Sequence, residues 1–233
     1  MISHDIATWR SDLLDIGGAR AASLGKWDKF EKRGKSLRKF HVVSAVEDFD
    51  TIGLSVREGL AVFGEVRFSC LWPQYEILAQ EPLIETSPIF RSFHEREFDE
   101  PYYLVFAVSN IGSAVPVRAM IINTVEERGL QSFETIEILC SVSHPRALTD
   151  LRDSLPHDIA GLVRWWPYRR DRFIRNKGYT ASLGSISPSE MMGMGSLLER
   201  ENFTPPTVAE RIENLPRRPR RPDPNGGTRV RVL

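Results

Sequence analysis

The sequence predicts an α/β fold, a mostly parallel sheet flanked by helices, on three observations. Strand-like and helical segments alternate from residue 102 to 165, the pattern of parallel strands joined by crossover helices. The runs at 102–108 (Tyr-Tyr-Leu-Val-Phe-Ala-Val) and 135–142 (Thr-Ile-Glu-Ile-Leu-Cys-Ser-Val) are almost continuously apolar, as central strands covered on both faces are. Each is followed by a short polar turn and a helical segment, the first ending at Gly129.

The elements follow in order. Residues 6–24 predict a helix with Ile6, Trp9, Leu13 and Leu14 on one face, and Gly17-Gly18 should interrupt it. The stretch Lys26–Lys39 holds five Lys and two Arg against one Asp and one Glu and reads as an exposed helix or loop. Two short β-branched runs, 41–46 and 51–56, predict strands separated by an acidic turn. A helix over 58–64 and a strand over 66–72 come next. Residues 73–100 are interrupted by Pro73, Pro82 and Pro88, and 89–98 reads as half of a projecting hairpin. Strand 102–108, helix 114–128, strand 135–142, helix 145–155 and strand 158–165 complete the alternation. After Pro205 the prolines forbid regular structure except for a short helix over 208–215. The chain thus divides into a helical and basic segment (1–48), an α/β domain (49–203) and an extended Pro/Arg-rich tail (204–233).

Composition excludes several classes. The 233 residues are 41% hydrophobic and 27% charged with zero formal net charge, so the whole chain is not a polycation. Residues 215–233 carry six Arg and one Asp, a local +5 balanced by −5 elsewhere. Cys70 and Cys140 lie in apolar runs and read as buried thiols in a reducing compartment. The first residues lack the pattern of a signal peptide, and no apolar run is long enough to cross a bilayer. The expectation is a soluble cytoplasmic protein with no membrane contact. The histidines show no metal-ligand spacing, and no Ser-His-Asp set, phosphate-binding Walker loop or dinucleotide fingerprint is visible. His144 reads as a capping or surface residue. Trp165-Trp166 and Met191–Met194 read as core or contact surface.

In a parallel sheet, ligands collect at the carboxyl ends of the strands, where helix N-termini bind phosphate. Five weak motifs stand there in one order. Val56-Arg57-Glu58-Gly59-Leu60 is followed by Tyr103–Gly129 with its Asn110-Ile111-Gly112-Ser113 turn. Next come His144-Pro145-Arg146-Ala147, Leu155-Pro156-His157-Asp158-Ile159, and Asn176-Lys177-Gly178-Tyr179 leading to Leu183-Gly184. Over residues 50–195 this order resembles the uracil phosphoribosyltransferase family. The resemblance implies a phosphoribosyltransferase-like fold, with Arg57, Gly59, Gly112 and Ser113 as remnants of a phosphate and pyrophosphate site. Gly178, Tyr179, Leu183 and Gly184 would be remnants of a base site. It also implies oligomers, since the family is built of them.

The departures from the family pattern fall on its acids. Ala107 stands where the family places a ribose-binding Asp, and Ser185 replaces the Asp of the base loop. Losing charge-assisted contacts in a site removes several kcal/mol of transition-state stabilisation. The leading reading is therefore a catalytically degenerate relative, with no catalytic residues and no cofactor, reused as an oligomeric binding or structural subunit. A second reading is a divergent active enzyme, with Mg²⁺ as cofactor and Asp99 or Glu100 as substitute acids. A third is an RNA-associated packaging protein using the basic 26–39 stretch and the tail. In that tail Arg217, Arg218, Arg220 and Arg221 alternate with prolines, an extended strip suited to an acidic partner or RNA.

Overall fold

The computed structural model describes residues 6–25, 38–80, 83–96, 98–170 and 202–214. The motif at 176–184, the Met191–Met194 run and the arginines of the tail lie outside these residues. Helix α1 (Ile6–Gly25) precedes strand β1 (Arg38–Ala45), a π-helical turn (Phe49–Gly53) and helix α2 (Leu54–Ala61). Strands β2 (Gly64–Pro73), β3 (Glu76–Gln80), β4 (Leu83–Thr86), β5 (Ile89–His94) and β6 (Tyr102–Ile111) follow. Helix α3 (Val115–Arg128), strand β7 (Phe133–Ser143), helices α4 (Ala147–Ser154) and α5 (His157–Leu162), strand β8 (Val163–Arg170) and helix α6 (Pro206–Glu213) complete the order.

Six strands form one sheet in the order β5-β2-β1-β6-β7-β8. All neighbours in it are parallel except the edge pair β2–β5, while β3 and β4 form a separate antiparallel hairpin. Side chains alternate between two apolar layers, as the pleat requires. Phe40, Val42, Val105, Ala107 and Leu139 pack under α1 and α2. Val43, Leu104, Phe106, Ile136, Ile138 and Cys140 pack under α3, α4 and α5. A third cluster (Phe49, Phe68, Cys70, Trp72) is covered by Val208 of α6. Both cysteines are buried and unpaired, as their apolar surroundings predicted, and burial pushes the Cys140 thiol up to about 12.

The α/β expectation therefore holds, and several local expectations are corrected. Gly17-Gly18 does not break α1. A Cβ at Gly17 would lie 3.0 Å from Ile52 O and Ser55 Cβ, and one at Gly59 2.6 Å from Ala21 Cβ. These glycines let α1 and α2 cross closely, and the Ser55 hydroxyl donates to the Leu14 carbonyl at the crossing. Leu14 points outward at 37% exposure, while Leu13, Ala21 and Leu24 face the core. The run at 51–56 is not a strand: the π-helical turn leads straight into α2, because contacts with α1 override β-branched propensity.

Residues 158–165 are likewise not one strand. Pro156 opens α5, its carbonyl accepting the Ala160 N–H, and β8 begins only at Val163. The projecting hairpin is β3–β4, whereas 89–94 is an edge strand of the main sheet. Residues 38–45, set apart by sequence with the basic N-terminal segment, supply an inner strand, so the sheet runs across the line drawn at residue 48. Part of the segment beyond 204 is docked, with Val208 fully buried and Trp72 Nε1–H donating to the Phe203 carbonyl at 3.0 Å. No described helix is long and apolar enough to cross a membrane.

Candidate functional site

Strand order reverses at β1: β2 lies on one side of it, and the later strands β6, β7 and β8 lie on the other. Such a reversal opens a crevice at the carboxyl ends of the two strands that meet there, β1 and β6. Its walls are the loop 46–53 after β1 and the loop 112–114 after β6.

The first wall is tightly wound. A Cβ at Gly53 would lie 2.5 Å from Ser44 Oγ and 3.0 Å from Asp48 O, so a side chain here would crowd the fold-back on β1. The wall is also acidic, with Glu47 and Asp48 buried and Asp50 beside them. Asp48 reaches across the crevice, its Oδ2 accepting the Ser109 N–H at 3.0 Å. Asp50 is 3.8 Å from the Arg57 guanidinium. The second wall is neutral. Ser113 Oγ accepts the Val115 N–H at 3.2 Å, which secures the first turn of α3, with Pro116 behind it. Between them, residues 46–53 and 109–115 carry three carboxylates and no Lys, Arg or His. An approaching phosphate meets like charge where a phosphate loop offers N–H groups and cations.

The residues singled out from sequence fall in different places. Arg57 and Gly59 lie inside α2 and not in a loop. Gly59 faces Ala21 of α1. The Arg57 guanidinium stands 4.4 Å from the Phe49 ring and 4.6 Å from that of Phe68. Burial lowers its pKa, and Asp50 and Glu95 oppose that shift, so the group stays cationic. Gly112 and Ser113 do form the strand-to-helix turn at the crevice. Ala107 is not at the strand end: β6 continues to Ile111, and Ala107 is buried under α1 and α2. The residues that do end the strand, Ser109, Asn110 and Ile111, also lack a carboxylate. Asp99 and Glu100 precede β6 and so stand at the opposite edge of the sheet, about 30 Å of extended strand from the crevice, and Glu100 pairs with Lys39. They are not placed to substitute for the missing acids.

His144 accepts the Arg146 N–H at 3.2 Å before α4, the expected capping role. Trp165 and Trp166 are half-buried and pack on opposite faces of the sheet. Among the described residues no group of three or more His, Cys, Asp or Glu side chains is placed to hold a metal ion.

One constellation escaped the sequence. His41 Nε2 is 2.6 Å from Ser69 Oγ, Ser69 Oγ is 2.7 Å from His94 Nδ1, and His94 Nε2 is 2.8 Å from Glu127 Oε2. The order of groups imitates a nucleophile, a base and a carboxylate. Ser69 and His41 are fully buried, however, so no substrate atom reaches the hydroxyl. Burial and Arg128 lower His41 well below its usual range and bring His94 down to about 4, which leaves both rings neutral. The chain ties β1, β2, β5 and α3 together. Its members lie 28, 25 and 33 positions apart, so no local spacing could have announced them.

No family model and no curated protein matches the chain. The AQ2163 protein from Aquifex aeolicus is similar in structure, with a TM-score of 0.57 at 13% identity over 84% of this chain and 91% of that one. Hypoxanthine-guanine phosphoribosyltransferase from L. donovani gives 0.42 at 10% identity, covering 68% of this chain and 77% of its own. Hypoxanthine phosphoribosyltransferase from Staphylococcus aureus gives 0.44 at 9%, covering 70% and 74%. At these identities a likeness is one of fold, not of activity.

Proposed function

We propose that this protein is a catalytically silent, phosphoribosyltransferase-like subunit that acts by binding and assembly. The observation that carries the reading is the crevice at the β1/β6 reversal. Its two loops hold three carboxylates and no cation, and Asp48 bridges them through the Ser109 N–H. A sugar pyrophosphate needs donors and positive charge at that place. Arg57, the cation that follows the first loop, is held against the Phe49 and Phe68 rings and beside Asp50. Uracil or hypoxanthine with phosphoribosyl pyrophosphate and Mg²⁺ should give no nucleotide above background at micromolar protein. Mg²⁺-dependent product would establish the active reading instead.

Assembly is supported by exposed apolar side chains on one projection, Leu78 and Ile84 of the β3–β4 hairpin, with Phe90 on the adjoining β5. Arg217, Arg218, Arg220 and Arg221 are proposed as an attachment arm for an acidic partner. Deleting residues 216–233 should weaken that attachment, and added salt should mimic the deletion.

A further inference from the structure

We propose that the edge strand β8 carries a binding strip for single-stranded nucleic acid, formed by Arg164, Trp166, Tyr168 and Arg170 with Arg20 of α1 beside them. Alternation along the strand puts these four side chains on one face, the face on which Trp166 meets the α1 and α2 layer. Successive members stand about 6.7 Å apart, close to the step between bases of an extended single strand. Aromatic and guanidinium groups alternate, the combination that stacks bases while following a phosphate backbone. Tyr168 is 55% exposed and Arg169 and Arg170 are exposed, whereas most other large aromatic side chains of the sheet are buried.

The strip is held in place from beneath. Glu137 is fully buried; its Oε2 accepts the Trp166 Nε1–H at 2.7 Å and its Oε1 lies 3.5 Å from Arg164 Nη1. One carboxylate thus fixes the indole and the guanidinium and is itself turned away from solvent. The Arg20 guanidinium lies 5.1 Å from the Tyr168 ring and adds charge at the exposed end. Charge in the surrounding sequence has the same sign, with five Arg and one Lys against one Asp over 164–177. Pro167 lies within this edge strand, and a proline there disfavours addition of a protein strand and leaves recognition to side chains. The strip is separate from the crevice at β1/β6, with β7 between β8 and β6.

The test is fluorescence anisotropy of the full-length protein with a labelled 20-mer of single-stranded oligo(dT), alongside a duplex of equal length. Tyr168→Ala should weaken single-strand binding about tenfold and Tyr168→Phe should restore it. Arg170→Glu should weaken binding and reduce its salt dependence. Arg118→Glu, an equal charge reversal on the exposed face of α3, should bind within about twofold of the unaltered protein. Thermal midpoints of all variants should match, since the altered side chains are exposed. The proposal is overturned if the protein does not bind oligo(dT), or if Tyr168→Ala binds like the unaltered protein. It is equally overturned if duplex binds as tightly, or if Arg118→Glu weakens binding as much as Arg170→Glu does, because generic charge then accounts for the affinity.

Discussion

Arg57 illustrates how a residue's neighbours override its motif. Two aromatic faces at 4.4 and 4.6 Å and the Asp50 carboxylate at 3.8 Å make it a buried structural cation. Arg57→Ala leaves Asp50 without its partner and uncovers the touching Phe49 and Phe68 rings, so urea unfolding should show a loss of about 2–4 kcal/mol. Arg57→Lys should recover only part of it, because an ammonium lacks the flat surface that two rings accept. The histidine chain predicts a pH effect. His41 and His94 are neutral in the fold, but once unfolded they take up protons near pH 6.5. Above that pH their contribution is complete. Below it the unfolded chain binds more protons, so stability falls, and the His94 share levels off as pH passes about 4. That share is about 2–4 kcal/mol. The groups facing the two rings are Arg128 and Glu127 from α3, Arg67 and Ser69 from β2, and the Tyr102 ring from β6. Urea midpoints measured from pH 7.5 to 4.5 should fall less steeply for His94→Gln than for the unaltered chain, and equal slopes would contradict this account.

At the scale of elements, the α1–α2 crossing decides whether the first part of the chain joins the sheet. Gly59 opposes Ala21 so closely that any side chain at 59 must push the helices apart. Gly59→Ala should cost about 1–3 kcal/mol. Ala21→Gly in the same chain should recover part of that loss through the shared contact, a coupling that a double-mutant cycle measures. Additive losses would mean that the two positions do not touch. Gly129 has a different reason: its φ of +78° ends α3, with its N–H on the Val125 carbonyl, a conformation that side chains disfavour.

Over the whole molecule, three apolar layers are closed by segments distant in sequence. Val208 and Phe203 return to cover Trp72 and Phe68, and Arg211 lies 3.4 Å from Glu95, the residue that follows β5. Val208→Asp places a charge in a fully buried position and should detach α6 at a cost of about 2–4 kcal/mol, read as faster proteolysis within residues 202–214 and a lower midpoint. Self-association belongs to this scale too. Light scattering should give a mass above that of one chain, and Leu78→Lys with Ile84→Lys should lower it. A single monomeric mass across the micromolar range would refute that surface.

The sequence by itself determined the alternation of strands and helices from 102 to 155, the two central strands, the buried thiols and the helix at 208, because those signals are local periodicity and composition. It also determined that acids are missing from the β6 turn, since Ser109 to Ser113 hold none however the strand end is placed. Only the tertiary structure decided the rest. Gly17-Gly18 and 51–56 read as breaker and strand by propensity, yet a helix crossing made them a contact and a turn. Arg57 reads as a loop cation, yet it is buried against Phe49 and Phe68, eight positions before it and eleven after. The acidic crevice, the His41–Ser69–His94–Glu127 chain and the β8 strip are likewise products of strand order. Residues far apart along the chain become neighbours only when β1 pairs with both β2 and β6, and nothing in their local spacing encodes that pairing.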